Sequence, residues 1–464
     1  MTTKVNQQSA EVLRMQADWD KVDALCGGTA GMRAAGEKFL PRWPQEDTKS
    51  YDFRLKTSTL FNAYERTVEN MAGKPFSEPL KWSDIEPDVE AWFDNIDLAG
   101  RNLHVFAAEV FQSAIHYGLT HILSDYPQTK GENGQPLYPT LAAEKAAGVR
   151  PNAVHVKPTS VLGWKSQKVK GVETLTQVRI MECVQENDGE FGVVDVQQVR
   201  VLTPGAYEIF RKNAKDEWVS YENGTTSLDY IPLRTVYARR TGFMTAKPPL
   251  LNLADLNIKH WQSQSDQDSI LHTARVAILA ISGVNDEDKI VIGAKTALML
   301  PLNAKAEYVE HSGAAIGAGR DSLQDLEDQM RAMGAELLVA TPGDKTATQS
   351  SIDTAQAQCQ LAAMAQALED ALDAMVDDMA KFSGRPEQGD IDVFKDFAPE
   401  VALATLGPFV LALIQLHSNG ILSKEDVFSE LKRYGVVNPD LIWKDVQDRM
   451  SLEPPAFTVP ALAA

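Results

Sequence analysis

Few side chains in these 464 residues stand at spacings that could do chemistry. His116 and His121 are a close histidine pair, but a five-residue step sets them about 140° apart on a helix, so they cannot share one metal from one face. Cys26, Cys183 and Cys359 are too far apart to make a zinc site or a disulfide framework by spacing, and read as small buried or half-buried side chains. Gly293-Ala-Lys-Thr296 and Gly343-Asp-Lys-Thr346 each hold a residue between glycine and lysine and lack the upstream glycine. Neither is the phosphate cradle of an NTPase. Gly313, Gly317 and Gly319 make GxxxGxG, which is not the dinucleotide fingerprint and reads as a flexible loop. No HExxH, CxxC or GxSxG occurs. Asp370, Asp373, Asp377 and Asp378 read as a solvated helix face; a nuclease would need carboxylates converging from separate strands. The expectation is a chain with no catalytic residue, no metal and no cofactor.

Composition narrows the class further. With 44% hydrophobic and 23% charged residues the chain is ordinary for a globular protein. A net charge of −19 argues against a protein that grips nucleic acid, because phosphate binding needs a basic surface. It is compatible with a wall past which DNA slides. No stretch reaches the roughly 18 apolar residues of a membrane span. Val401 to Leu416 comes nearest, but Thr405, Gly407, Pro408 and Gln415 interrupt it, and a buried helix is expected. The N-terminal MTTKVNQQSAEVLRMQ lacks a secretory apolar region, so a cytoplasm-like compartment and no membrane are expected.

The elements that would position any such groups begin with helices. Val12, Met15, Trp19 and Val22 recur at three- and four-residue steps and predict one. Gly27, Gly28 and Gly31 break it, and Pro41 and Pro44 force an extended stretch. Asp52 to Met71 resumes the helical pattern with Phe61, Tyr64, Val68 and Met71. Leu98 to Leu123 follows with Leu103, Phe106, Val110 and Tyr117 on one face. From Val154 to Arg240 short β-rich runs predict an antiparallel meander, turning at Asp188-Gly189, Pro204-Gly205 and Asn223-Gly224. Pro248-Pro249 then opens Leu250 to Arg275, apolar at its ends and polar throughout Gln262 to Ser269. No glycine or proline interrupts a helix there, of roughly 35 Å. A helix polar all round bridges packed regions or meets solvent and neighbouring subunits.

Val276 to Ile281 and Lys289 to Leu302 read as strands. Glu310 to Arg320 reads as a small flexible loop, with Asp321 or Ser322 capping a helix over Leu323 to Leu338. After a linker, Thr341 to Ser350, a stripe of Leu361, Met364, Leu368, Leu372, Met375 and Met379 predicts a helix with Glu369, Asp373 and Asp377 on another face. The tail from Glu453 to Pro460 is expected to be mobile. The fold class is α+β.

The order of these segments resembles the phage portal family of head-to-tail connectors, and in particular a prophage-type branch of it. The resemblance covers nearly the whole chain. Its sharpest part is Glu37-Lys-Phe-Leu-Pro-Arg-Trp-Pro44 with Tyr51-Asp-Phe-Arg-Leu-Lys56, Leu60-Phe-Asn-Ala63 and Arg66-Thr-Val-Glu-Asn-Met-Ala-Gly-Lys-Pro75. The second is Pro248 to His260 with Ser265 and His272. The third is Gly420-Ile-Leu-Ser-Lys-Glu-Asp-Val-Phe428 with Glu430 to Gly435, similar to the helix-turn-helix-like end of many portals.

The resemblance implies a dodecameric ring of identical chains at one capsid vertex, through which double-stranded DNA is packaged and ejected. It implies docking to the terminase large subunit, head–tail adaptors, major capsid protein and scaffold, and a virion location after assembly in the host cytoplasm. It divides the chain into a helical wing (1–160), a β-rich wing and clip (161–248), and a stem helix with its following strand (249–282). Strands, tunnel loop and loop helix follow (283–348), then a helical crown and tail (349–464). Asn257, Lys259, His260, Gln264, Asp268 and His272 would belong to the stem. His311, Ser312, Gly313, Gly317, Gly319 and Arg320 would line the tunnel loop, with His311 and Arg320 set for passing phosphate contact. The competing classes are a carboxylate metal-dependent phage nuclease and a scaffold or adaptor that forms no ring.

Overall fold

The computed structural model describes residues 4–127, 135–274, 278–282, 305–309, 314–335, 347–395, 403–433, 436–437 and 441–452. Two units form, Met1–Lys395 and Asp396–Ala464. The first opens with helices α1 (Ala10–Cys26), α2 (Gly28–Ala35), α3 (Thr48–Thr57) and α4 (Ala63–Gly73). Strand β1 (Lys81–Trp82), the single turn α5 (Pro87–Glu90) and α6 (Leu103–Tyr117) follow. The apolar face of α1 is buried as its periodicity requires, with Val12, Met15, Trp19 and Val22 inside. The Trp19 indole donates to the Tyr117 carbonyl at 3.0 Å, giving a buried polar tip its partner. Gly31 does not break the chain but sits within α2, where a Cβ would overrun the backbone of Ala24.

Two helices expected as continuous runs end early. Asp52 to Met71 divides into α3 and α4 because Ser58 turns extended and Asn62 caps the new helix by accepting from the Glu65 amide. This leaves Phe61 exposed between them instead of on a core face. The run Leu98 to Leu123 contains only α6, from the Asn102 cap to Gly118 at φ 87°. The chain then leaves as β2 (Leu119–Asp125). After α7 (Leu141–Ala146), β3 (Asn152–Val156) pairs antiparallel with β2.

The meander forms as expected: β4 (Val161–Val169), β5 (Val172–Asp188), β6 (Gly192–Thr203), β7 (Ala206–Lys212) and β8 (Trp218–Thr225) lie in sequence order, antiparallel throughout. Gly189 and Gly205 supply the positive φ of two of its turns. Asn223-Gly224 makes no turn. It lies inside β8, where Gly224 faces the Tyr207 ring too closely for a side chain, and the turn falls at Asn213–Glu217 with Asp216 at positive φ. The next strand, β9 (Leu233–Tyr237), joins β2 instead, giving a second sheet of order β3-β2-β9. Strands β10 (Arg240–Gly242) and β11 (Thr245–Ala246) make a small hairpin before the long helix α8 (Leu251–Ala274). Strands β12 (Ile278–Ser282) and β13 (Lys305–Val309) pair with each other. The strand expected at Lys289 to Leu302 lies outside the described residues.

Helix α9 (Ala314–Ala335) packs on α8, and α10 (Ala347–Phe382) lies on the β2–β9 pair. Its stripe of Leu361, Met364, Leu368, Leu372, Met375 and Met379 is buried there. Expected within the helical crown, this helix lies in the first unit, with that stripe against the sheet. A short strand, β14 (Ile391–Asp392), returns to pair with β1.

The second unit holds α11 (Leu403–Ser418), α12 (Lys424–Arg433) and α13 (Trp443–Leu452). Gly420 at φ 73° and the reciprocal cap between Ser423 and Asp426 make the turn into α12. Phe428 packs on Trp443 with ring centroids 5.3 Å apart. Among the described residues no helix is long and apolar enough to cross a membrane.

The central sheet carries a pH dependence. His121 is buried on β2 and His155 half-buried on β3, and desolvation lowers their pKa values to about 3 and about 4. Both rings hold threonine hydroxyls, Thr235 at 3.0 Å and Thr120 at 2.9 Å. The unfolded chain therefore binds more protons below pH 6.5 than the folded one. Their contribution should be intact above that pH and lost as pH falls toward 4 and 3, by up to about 1.4 kcal/mol per unit for each histidine. Urea midpoints against pH check this, and His155→Gln should flatten the slope between about pH 6.5 and 4.

Candidate functional site

The two sharpest segments of the sequence resemblance meet along α8. Prolines 41 and 44 hold the chain extended, and Arg54 of α3 locks it there. Its guanidinium grips Glu46 through two bonds of 2.8 and 2.7 Å, donates to the Pro41 carbonyl at 2.8 Å and lies 4.3 Å from the Trp43 ring. Arg54 and Glu46 side chains are only 4% and 2% exposed, and the Arg54 bond holds the Glu46 carboxyl below the usual carboxylate range. From this fixed loop the Trp43 indole donates to Asp266 at 3.0 Å, and the Phe39 carbonyl accepts from Gln262 at 3.0 Å. Ser58 meets Ser265 at 2.9 Å. Asn257 donates to the Phe61 carbonyl at 2.8 Å and accepts from the Tyr64 amide at 3.0 Å, filling the gap between α3 and α4.

The polar centre of α8 is thus a row of latches onto the chain's own N-terminal helices. Asn257, His260, Ser265 and Gln267 are buried within the subunit, although these polar positions were expected to face neighbouring subunits and solvent. Buried amides and hydroxyls are tolerated where they are paired, as three of these are. His260 is the exception: neither ring nitrogen has a hydrogen bond, Glu327 Oε1 lies 3.7 Å away, and burial lowers its pKa against that carboxylate. Lys259 and His272 are exposed, the latter beside Phe53, and Gln264 donates to Asp268 at 2.8 Å.

The tunnel-loop residues divide. His311, Ser312 and Gly313 lie outside the described residues. Gly317, Gly319 and Arg320 stand in α9, which begins at Ala314 instead of after a loop ending at Arg320. Gly319 is there for close packing: a side chain would overlap the Gln267 amide, which itself donates to the Ile316 carbonyl at 3.0 Å. Arg320 is 82% exposed beside Asp321.

Of the carboxylates of α10 read as a solvated face, Asp370 is exposed, but the others are tied to the chain. Glu369, Asp373 and Asp377 accept from the backbone amides of Val393, Ile391 and Gln388 at 2.9, 2.8 and 2.8 Å, fastening the returning strand along the helix. Burial pushes the Asp373 carboxyl up to about 6, with Asp390, Glu369 and Asp370 adding to it. Asp378 is fully buried and bound by Arg234 and by the Tyr230 hydroxyl at 2.6 Å. Their four-residue spacing showed one face, but the backbone they would meet lies beyond any local pattern.

One constellation went unseen because its members are distant in sequence. Cys26 Sγ lies 3.3 Å from His116 Nδ1, and His116 Nε2 lies 3.2 Å from Asp23 Oδ1. The connectivity is that of a thiol nucleophile, base and orienting acid. The electrostatics run the other way: burial first, then Glu65, Asp23 and Glu69, pushes the thiol up to about 12, so it stays protonated. Tyr64 and Tyr117 close over it, and the group reads as a polar cluster at the α1–α4–α6 junction. Among the described residues no group of His, Cys, Asp and Glu is arranged to hold a metal.

A family described as a domain of unknown function, DUF4055, matches residues 249–383, the span from α8 to the end of α10. No curated protein matches the chain. Among solved structures the chain is similar to one from the neck of a native GTA particle computed with C12 symmetry, 12% identical over 79% of this chain and 88% of that one, with TM-score 0.40. It is also similar to a chain of the virion of a native gene transfer agent particle, 13% identical over 86% of this chain and 97% of that one, with TM-score 0.42.

Proposed function

We propose that the protein is a portal subunit, a non-enzymatic chain that closes into a dodecameric ring at a capsid vertex and gives double-stranded DNA its passage. Terminase supplies the work; this chain supplies a channel and docking surfaces. The observation that carries the reading is the clamp. The segments 37–75 and 248–272, which resemble portals for no catalytic reason, are joined by four hydrogen-bonded contacts. A long helix held rigidly by the outer helices is what a stem needs if packing forces are not to bend it. The acidic surface suits a duplex that must not stick, and exposed Arg320 remains a candidate for passing phosphate contact.

Light scattering on the purified chain tests this: one large species of about twelve subunits is expected, with plasmid left intact in Mg²⁺ or Mn²⁺. A monomer at every concentration, or metal-dependent cutting, would contradict it.

A further inference from the structure

We propose that the β5–β6 hairpin is an acidic arm that seats on the basic β4–β5 hairpin of a second copy, head to tail. Strand β5 is much longer than its neighbours. Its partner β4 begins at Val161 opposite Ile180, so Met181 to Asp188 have β6 on one side only. Strand β7 meets β6 no further than Gln198, so Gly192 to Gln197 have β5 alone. From Cys183 to Gln197 the result is a two-stranded arm reaching about 20 Å past the rest of the sheet, open on both edges.

The arm's composition is one-sided. Residues 181–199 contain Glu182, Glu186, Asp188, Glu190 and Asp195 and no lysine or arginine. Glu186 is taken by Arg211 and Glu182 by Arg200, but Asp188 and Glu190 at the tip have no ion-pair partner among the described residues. Phe191 is 91% exposed, and Val193 and Val194 are exposed beside it. An aromatic side chain held in water at the end of an unsupported hairpin is a contact residue without its contact.

The complement lies at the other end of β5. The β4–β5 hairpin also outruns its neighbour, turning at Lys170 and Gly171, both at positive φ. It carries Lys165, Lys168 and Lys170, none ion-paired among the described residues, with Glu173 alone opposite Lys168 and bound by the Ser166 hydroxyl. Val172 is 67% exposed and Val169 is exposed beside it. Each tip therefore offers apolar surface framed by charge, of opposite sign.

The charges select which tips meet. Like tips repel, so an arm seats on a hairpin. Made once between two copies, this contact is head to tail and builds rings or open chains; made twice about a two-fold axis, it closes a dimer, which sedimentation distinguishes. Closure into a ring rests on the portal reading; the tip-to-tip contact does not.

The test uses the full chain and the concentration at which half of it is assembled, read by sedimentation. Asp188→Lys with Glu190→Lys, or Lys168→Glu with Lys170→Glu, should each raise that concentration about tenfold or more. All four changes in one chain should return it to within about threefold of wild type. Oxidising a chain with Lys168→Cys and Glu190→Cys should link the two positions between neighbours and give a ladder of covalent multimers, where a two-fold contact would stop at dimers. Assembly indifferent to both reversals, or no recovery in the fourfold variant with its melting temperature unchanged, would overturn the contact and leave the portal reading standing. A wild-type chain that never associates would overturn both.

Discussion

Asp378→Ala is expected to cost the folded chain about 3 kcal/mol or more. The carboxylate has no exposed surface, and Arg234 binds both its oxygens, at 2.6 Å through Nε, while the Tyr230 hydroxyl adds a third bond at 2.6 Å. Removing it strands a guanidinium whose side chain is one-third exposed, which keeps the loss toward the lower end for a broken buried pair. It also releases α10 from β9, and with it the strand fastened by Glu369, Asp373 and Asp377. Asp378→Asn keeps the shape and some of the bonds and should cost less. Replacing both partners, Asp378→Leu with Arg234→Met, should recover most of the loss, since apolar side chains need no compensating charge. Urea unfolding of the three variants checks the order. Equal losses for Asn and Ala would mean that charge pairing is not what holds the helix.

Gly118→Ala is expected to be as damaging, by about 3 to 5 kcal/mol. Gly118 ends α6 at φ 87°, a left-handed conformation that disfavours a side chain. Its carbonyl accepts from the amides of Ala238 and Arg239, so the backbone cannot turn away. A methyl group would overlap the Lys247 carbonyl and lie 2.8 Å from Pro248 N. Both obstacles are backbone, which no rotamer change relieves. Because Pro248 leads directly into α8, the damage should reach the clamp: the hydrogen bond from the Trp43 indole to Asp266 should be lost in Gly118→Ala, read as a shift of the Trp43 indole N–H resonance before global unfolding. Gly73→Ala, with open space around it, serves as the neutral control.

Much of the fold was readable wherever one face of one element carried the information. The stripe of α1, the stripe of α10 and the alternation of β5 and β6 each needed only local periodicity. Local breakers were read less well. Gly31 and Gly224 are glycines for close approach, not for turning, and only the element lying opposite reveals which. Gly317 and Gly319 looked like loop residues for the same reason, until Gln267 accounted for one of them. The site was harder still. Side-chain amides and hydroxyls on α8 and carboxylates on α10 have the composition of solvated faces; the partners of Ser265 and Asn257, the Ser58 hydroxyl and the Phe61 carbonyl, lie some 200 residues away. Cys26, His116 and Asp23 meet across about 90 residues, and no spacing rule joins them.

The central claim is an assembly, and single-particle images of the purified, full-length chain test it most directly. The account predicts closed rings of twelve subunits with a central hole wide enough for a B-form duplex. Compact single subunits, two-fold dimers or open filaments without a hole would contradict it.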